Sequence, residues 1–139
     1  MKYRESINKK LNIKKIDELR LSVGWTKRRS DKKWREILSK SYFVYSVWDR
    51  KKLIGMGRIL EDGIMCMFYD IAVHKDYQSK GVGKMIMKKL IEQVKNKGYT
   101  SIGLFADKRN IKFLIPFYKK FGFKEVKTGM ECKKYMKID

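Results

Sequence analysis

The sequence predicts a single α/β domain, an α+β mixed sheet of mostly antiparallel strands flanked by helices. Three observations predict it. A near-continuous apolar run, Ile64 to Val73, suits a central strand buried on both faces. The clearest amphipathic helix of the chain follows it after one polar loop, and a further strand-like run, Thr100 to Phe105, follows the helix. A strand–helix–strand order needs a crossover, and therefore a parallel pair. Ahead of these lies an aromatic and β-branched hairpin, which makes the remaining pairs antiparallel.

Taken in order, the chain opens with a short strand. Ile13, Ile16, Leu19, Leu21 and Val23 then follow a helical pattern that stops at Gly24, and Asp31 is a candidate cap for a second helix carrying Trp34, Ile37 and Leu38 on one face. Tyr42 to Trp48 reads as a strand, Asp49 to Lys52 as a turn, and Leu53 to Leu60 as its partner. Glu61-Asp62-Gly63 turns the chain into the long strand ending at Val73. In the helix that follows, Val82, Met85, Ile86, Leu90 and Val94 share one face, and Lys84, Lys88, Glu92 and Lys95 the other, with Gly98 as the expected C-cap. Pro116 is placed in the first turn of a short helix stopped by Gly122. Phe123 to Val126 and Glu131 to Met136 are expected to form a terminal pair of strands.

Composition bounds the function. The 139 residues suit one domain, expected to span 1–139. With 43% hydrophobic and 13% aromatic residues, spread along the whole chain, there is enough apolar material for a core. The net charge of +20 would attract a polyanion: nucleic acid, an acidic membrane or a phosphorylated small molecule. The lysines are scattered rather than blocked, which equally fits a solvated surface. Cys66 and Cys132 form neither a disulfide framework nor a metal motif, and no metal is expected. No signal-like or membrane-spanning stretch is read, so the expectation is a cytoplasmic protein with no membrane partner.

The loop Gln78-Ser79-Lys80-Gly81-Val82-Gly83-Lys84 joins the central strand to the long helix. Glycines let the backbone approach a ligand, a helix N-terminus offers unpaired N–H groups, and Lys80 and Lys84 add charge, as a pyrophosphate would require. A Walker A loop would need glycine at 78 and serine or threonine at 85, where Gln78 and Met85 stand. A dinucleotide fingerprint would need a small residue at 86, where Ile86 stands. On glycine spacing alone, a tight turn without ligand is as good a reading.

Two motifs in order add to this: Asp70-Ile71-Ala72-Val73 leading into Gln78-Ser79-Lys80-Gly81-Val82-Gly83, and Phe117-Tyr118-Lys119-Lys120-Phe121-Gly122-Phe123 downstream. They resemble the Gln/Arg-x-x-Gly-x-Gly/Ala and Phe-Tyr-x-x-x-Gly-Phe patterns of the GNAT superfamily of acyl-CoA N-acyltransferases. The likeness covers Ile54 to Val126, and Ser22-Val23-Gly24-Trp25 is similar to a general bacterial branch of it.

The resemblance implies a GNAT-like fold and an N-acetyltransferase that uses acetyl-CoA as co-substrate. It implies that backbone groups of Ile71, Ala72 and Val73 pair with the pantetheine arm as an added strand, and that the amides of Gln78, Ser79, Lys80, Gly81, Val82, Gly83 and Lys84 hold the pyrophosphate. The Val73 N–H would stabilise the oxyanion, Tyr118 would act as general acid, and Asn110 would contact the coenzyme. Pro116 and a spacing one residue longer than the common pattern set Asn110 apart from it. No residue stands out as the base. Asp70 is the best of Asp70, Glu61, Asp62 and His74, because a carboxylate in an apolar strand needs a reason; it could equally bind the substrate ammonium or make a structural hydrogen bond.

The expected reaction is direct transfer to a primary amine of a small molecule in a ternary complex. The alternatives are a protein or peptide N-acetyltransferase and, less favoured, a basic nucleic-acid-binding protein, which lacks any RRM, KH or zinc-finger signature. The family allows a homodimer.

Overall fold

The computed structural model describes residues 2–137. The chain divides into two compact units, Met1–Phe105 and Ala106–Asp139.

The first unit is built on a five-stranded sheet in the order β1-β2-β3-β4-β5. Its strands are β1 (Arg4–Ser6), β2 (Phe43–Asp49), β3 (Lys52–Glu61), β4 (Met65–Val73) and β5 (Ser101–Leu104). The first four are antiparallel neighbours, and β4 and β5 are parallel. This is the mixed, mostly antiparallel sheet that the sequence predicts.

Helices α1 (Ile13–Ser22) and α2 (Asp31–Lys40) cover one face and α3 (Val82–Val94) the other. The two-residue alternation of β3 divides them. Met56 joins Ile16, Leu19, Trp34, Leu38 and Ala72 in one cluster. Gly55 and Gly57 look the other way: a Cβ at Gly55 would meet Val82 Cγ1 at 2.7 Å, and one at Gly57 would meet Ile86 Cγ2 at 2.9 Å. The missing side chains let α3 lie close against the strand. Val82, Ile86, Met87, Leu90 and Val94 are buried there, each contributing about 1.5–3 kcal/mol.

Some local expectations are corrected. Ser30, not Asp31, caps α2, its Oγ accepting from the Lys33 N–H at 3.1 Å; Asp31 is the first helical residue. Met87 is buried where Met85 is only half-buried. Helix α3 ends at Val94, short of Gly98, with Asn96 the first left-handed residue beyond it (φ 57°).

In the second unit, α4 runs Ile111–Lys119, so it starts five residues before Pro116 rather than at it. Pro116 therefore sits in the helix interior and removes one ladder donor. The expected terminal strands at 123–126 and 131–136 do not form: the described residues there carry only turns and a single helical turn at Lys133–Tyr135. Val126 and Met130 are exposed, and β propensity expresses itself only against a partner strand and a buried face. Among the described residues no helix is long and apolar enough to cross a membrane.

Candidate active site

The site begins where β4 departs from regular pairing. Met56 faces Ala72 but Arg58 faces Tyr69, so Gly57 alone answers both Asp70 and Ile71. This is a β-bulge, and Asp70 takes a left-handed backbone (φ 52°) to accommodate it. On the other side, β4 pairs with β5 only from Met65 to Phe68. β5 ends at Leu104, opposite Phe68, so Tyr69 to Val73 have no β5 partner. The His74 N–H donates to Ile54 O at 2.8 Å, toward β3. Alternation along the strand turns the N–H groups of Val73 and Ile71 to the opposite, open edge. An extended polar ligand could pair there as a strand does.

Beyond Val73, a helical turn (Lys75–Tyr77) and the loop to α3 are tied down locally. The Asp76 N–H donates to His74 Nδ1 at 3.2 Å, the Lys75 N–H to Ser22 Oγ at 3.3 Å, Tyr77 Oη to Asp49 Oδ2 at 2.6 Å, and Gln78 Nε2 to Val73 O at 3.0 Å. Burial, with Lys52 nearby, lowers the His74 pKa, and its Nδ1 is already taken by the Asp76 N–H as a loop brace.

Ser79 (φ 63°) and Gly81 (φ 86°) both take left-handed conformations, which wind the loop into the start of α3. A Cβ at Gly81 would meet nothing within 4 Å, so the space before it is open. The helical ladder starts with the Met85 N–H donating to Gly81 O at 3.1 Å. The N–H groups of Val82, Gly83 and Lys84 have no intrahelical acceptor, and no side chain caps the helix. With the helix dipole and the exposed Lys80 and Lys84, this end suits a diphosphate.

Asp70 is not free. Arg20 Nη1 lies 3.0 Å from its Oδ1, Arg29 Nη1 3.1 Å from Oδ2, and Arg58 Nε 2.7 Å from Oδ2. Burial alone would raise this carboxyl, but Arg29 and Arg58 together hold it below the usual carboxylate range. Such a group is a weak proton acceptor. Arg20 is itself pushed down, first by burial and then by Arg29, a sign that positive charge is crowded here. Its guanidinium stacks on Trp25 and Trp34, Arg29 on Trp34, and Arg58 on Tyr69.

Sequence reasoning missed these three arginines. They come from α1, the α1–α2 loop and β3, with no local motif joining them. The one signal was indirect: Asp70, a carboxylate in an apolar strand.

Asn110 and Tyr118 belong to the second unit. Asn110 stands exposed at the start of α4, with no capping hydrogen bond from its side chain. Tyr118 is buried among Phe117 and Phe123, and burial pushes its hydroxyl up to about 12, so it stays protonated at neutral pH. Burial likewise raises the Cys66 thiol to about 11, which leaves it inert as a nucleophile. Among the described residues no group of three or more His, Cys, Asp or Glu is placed to hold a metal ion.

Comparison with known proteins agrees with this geometry. Residues 13–135 match the family model of the acetyltransferase (GNAT) domain. The chain is 34% identical over 131 residues to the uncharacterized N-acetyltransferase ycf52 of Pyropia yezoensis, covering 91% of this chain and 72% of that one. It is 31% identical over 121 residues to the histone acetyltransferase TAP1 of Glycine max, covering 78% of this chain but only 50% of that one. The crystal structure of Staphylococcus aureus SA2161, described as "Probable Acetyltransferase", superposes with a TM-score of 0.81 at 27% identity, covering 99% of this chain and 100% of that one. The chain therefore belongs to the GNAT family of acetyltransferases.

Proposed function

We propose that the two units work as one domain, which transfers an acetyl group from acetyl-CoA to a primary amine of a small molecule by direct attack in a ternary complex. Acetyl-CoA is the co-substrate of the family, and the one family model spans both units. The observation that carries the reading is the continuous run of open backbone donors: the β4 edge at Ile71 and Val73, then the uncapped amides of Val82, Gly83 and Lys84. The first suits the amides of a pantetheine arm, the second a pyrophosphate.

In this reading the Val73 N–H steadies negative charge growing on the thioester oxygen. Tyr118, protonated at working pH, gives its proton to the departing sulfur. The acceptor nitrogen sheds its proton to water rather than to Asp70, because three guanidiniums hold that carboxylate ionised. Holding two substrates in line supplies much of the acceleration. Protein acetylation is a second reading, favoured by the name of the soybean relative. A chain of net charge +20 repels basic peptide tails, which favours the small acceptor.

Calorimetric titration with acetyl-CoA tests the reading. Micromolar binding is expected, and its loss in Gly81→Trp, whose side chain would fill the loop mouth. No binding by the unaltered chain at moderate salt would overturn it.

A further inference from the structure

The arginine cluster around Asp70 is larger than its structural task needs. Three guanidiniums meet one carboxylate; Asp17 also acts on Arg20 but is itself paired with Arg28, so positive charge stays in excess. The site is largely withdrawn from water: side-chain exposure is 7% for Asp70, 10% for Arg20 and 11% for Arg58. Uncompensated charge in such a place is costly, and a structural tie between β3 and β4 would need Arg58 alone.

The donors are also unequal in use. Arg20 spends Nη1 on Asp70 and points Nη2 at Lys27 O (3.4 Å), and Arg58 divides its donors between Asp70 and Ser41 Oγ (3.5 Å). Among the described residues Arg29 donates only through Nη1, to both Asp70 oxygens, and its side chain is 32% exposed. Its guanidinium plane is held 4.7 Å above the Trp34 ring. It is therefore fixed in place, charged, reachable from solvent and still has free N–H groups. A guanidinium edge of this kind matches the two oxygens of a carboxylate or phosphate.

Position gives the cluster its role. Asp70 precedes Val73 by three residues on the same strand, so the two lie within about 10 Å of each other. We propose that Arg29, backed by Arg20 and Arg58, binds an oxyanion carried by the acceptor, so that the acceptor is an amine bearing a carboxylate or phosphate several bonds from its nitrogen. This rests on Val73 marking the point of acetyl transfer, as in the function proposed above. Such an acceptor offsets part of the excess charge, whereas a plain alkylamine or a diamine is disfavoured by the same field.

The test is calorimetric, with the full chain saturated with desulfo-CoA. The probes are 6-aminohexanoate, 5-aminopentylphosphonate and hexylamine, on the unaltered chain, Arg29→Gln and Arg29→Lys. The anionic probes are expected to bind at least tenfold more tightly than hexylamine. Arg29→Gln should remove that preference and Arg29→Lys restore part of it, and the ranking of the first two probes tells carboxylate from phosphate. Equal affinity for all three probes, no binding of the anionic pair, or a preference that survives Arg29→Gln would overturn the subsite. Desulfo-CoA binding, read first in the same cell, separates the two ideas: if it fails the functional reading falls, and if it succeeds without discrimination only the subsite falls. Acetate and inorganic phosphate alone should compete with the anionic probes, which a merely structural Arg29 would not allow.

Discussion

Arg58 Nε donates to Asp70 Oδ2 at 2.7 Å across the β3–β4 pair, at the point where the register of the two strands slips. The bulge that turns Asp70 out of regular pairing and the cation that receives it are thus one device. Its partner residues lie twelve positions apart, while Arg20 and Arg29 reach the same carboxylate from the helical layer.

Asp70→Asn keeps the shape and removes the anion that all three arginines contact. Breaking a buried pair this way costs about 3–5 kcal/mol. The pH dependence follows from the direction of the shift. The native carboxyl lies below its ordinary value, so its contribution is fully present above the unfolded pKa and is lost as pH falls through the lower native one. Urea unfolding should therefore show a wide gap between wild type and Asp70→Asn at pH 7 that closes in strong acid. A gap independent of pH would show that charge is not the cause.

Gly55→Ala sets a Cβ 2.7 Å from Val82 Cγ1, a short and stiff side chain at the first turn of α3. Overpacking of this sort costs about 1–3 kcal/mol. Gly103→Ala meets only the flexible Met67 thioether at 3.2 Å and should be close to neutral. Thermal unfolding of both variants side by side checks the contrast, and equal losses would refute it.

Ser30→Ala removes the oxygen that accepts the Lys33 N–H and should cost about 1 kcal/mol. Asp31→Ala removes no hydrogen-bonding cap, only an acidic side chain in the first turn, and should cost about half as much. Denaturant midpoints of the two variants decide which residue caps α2.

Tyr118→Phe keeps the ring between Phe117 and Phe123 and deletes the hydroxyl proposed as the acid. A fall in kcat of about a hundred- to ten-thousand-fold is expected, with acetyl-CoA affinity unchanged. Because burial holds the hydroxyl pKa near 12, the wild-type rate should show no alkaline limb from this group at neutral or mildly alkaline pH. A Phe variant within threefold of wild type would remove Tyr118 from the mechanism.

The sheet was legible because its signals are local. A long apolar run, a polar turn after an aromatic run and a strong helical period each act within a few residues, and β2, β3, β4 and α3 fall where they predict. The glycine loop that opens α3 was legible for the same reason: Gln78 to Lys84 are contiguous. The terminal strands were misread because Phe123 and Val126 carry β propensity without a partner, and propensity alone does not pair a strand. The arginines were invisible because Arg20, Arg29 and Arg58 meet only through the fold. Asp70 was noticed as anomalous, but nothing near it in sequence said that cations would surround it.

The absence of a β5 partner beyond Phe68 has a consequence for sequence tolerance. An edge read through main-chain groups is indifferent to the side chains along it. Ile71 and Val73 could be exchanged for other β-branched residues with the donors left in place, so alanine scanning would score this stretch nearly silent. Amide hydrogen exchange would not: the protons of these two residues would slow when the edge is occupied. On the proposed reading, side chains along this edge can be exchanged with the donors kept in place, whereas the glycines and the bulge that shape the backbone cannot.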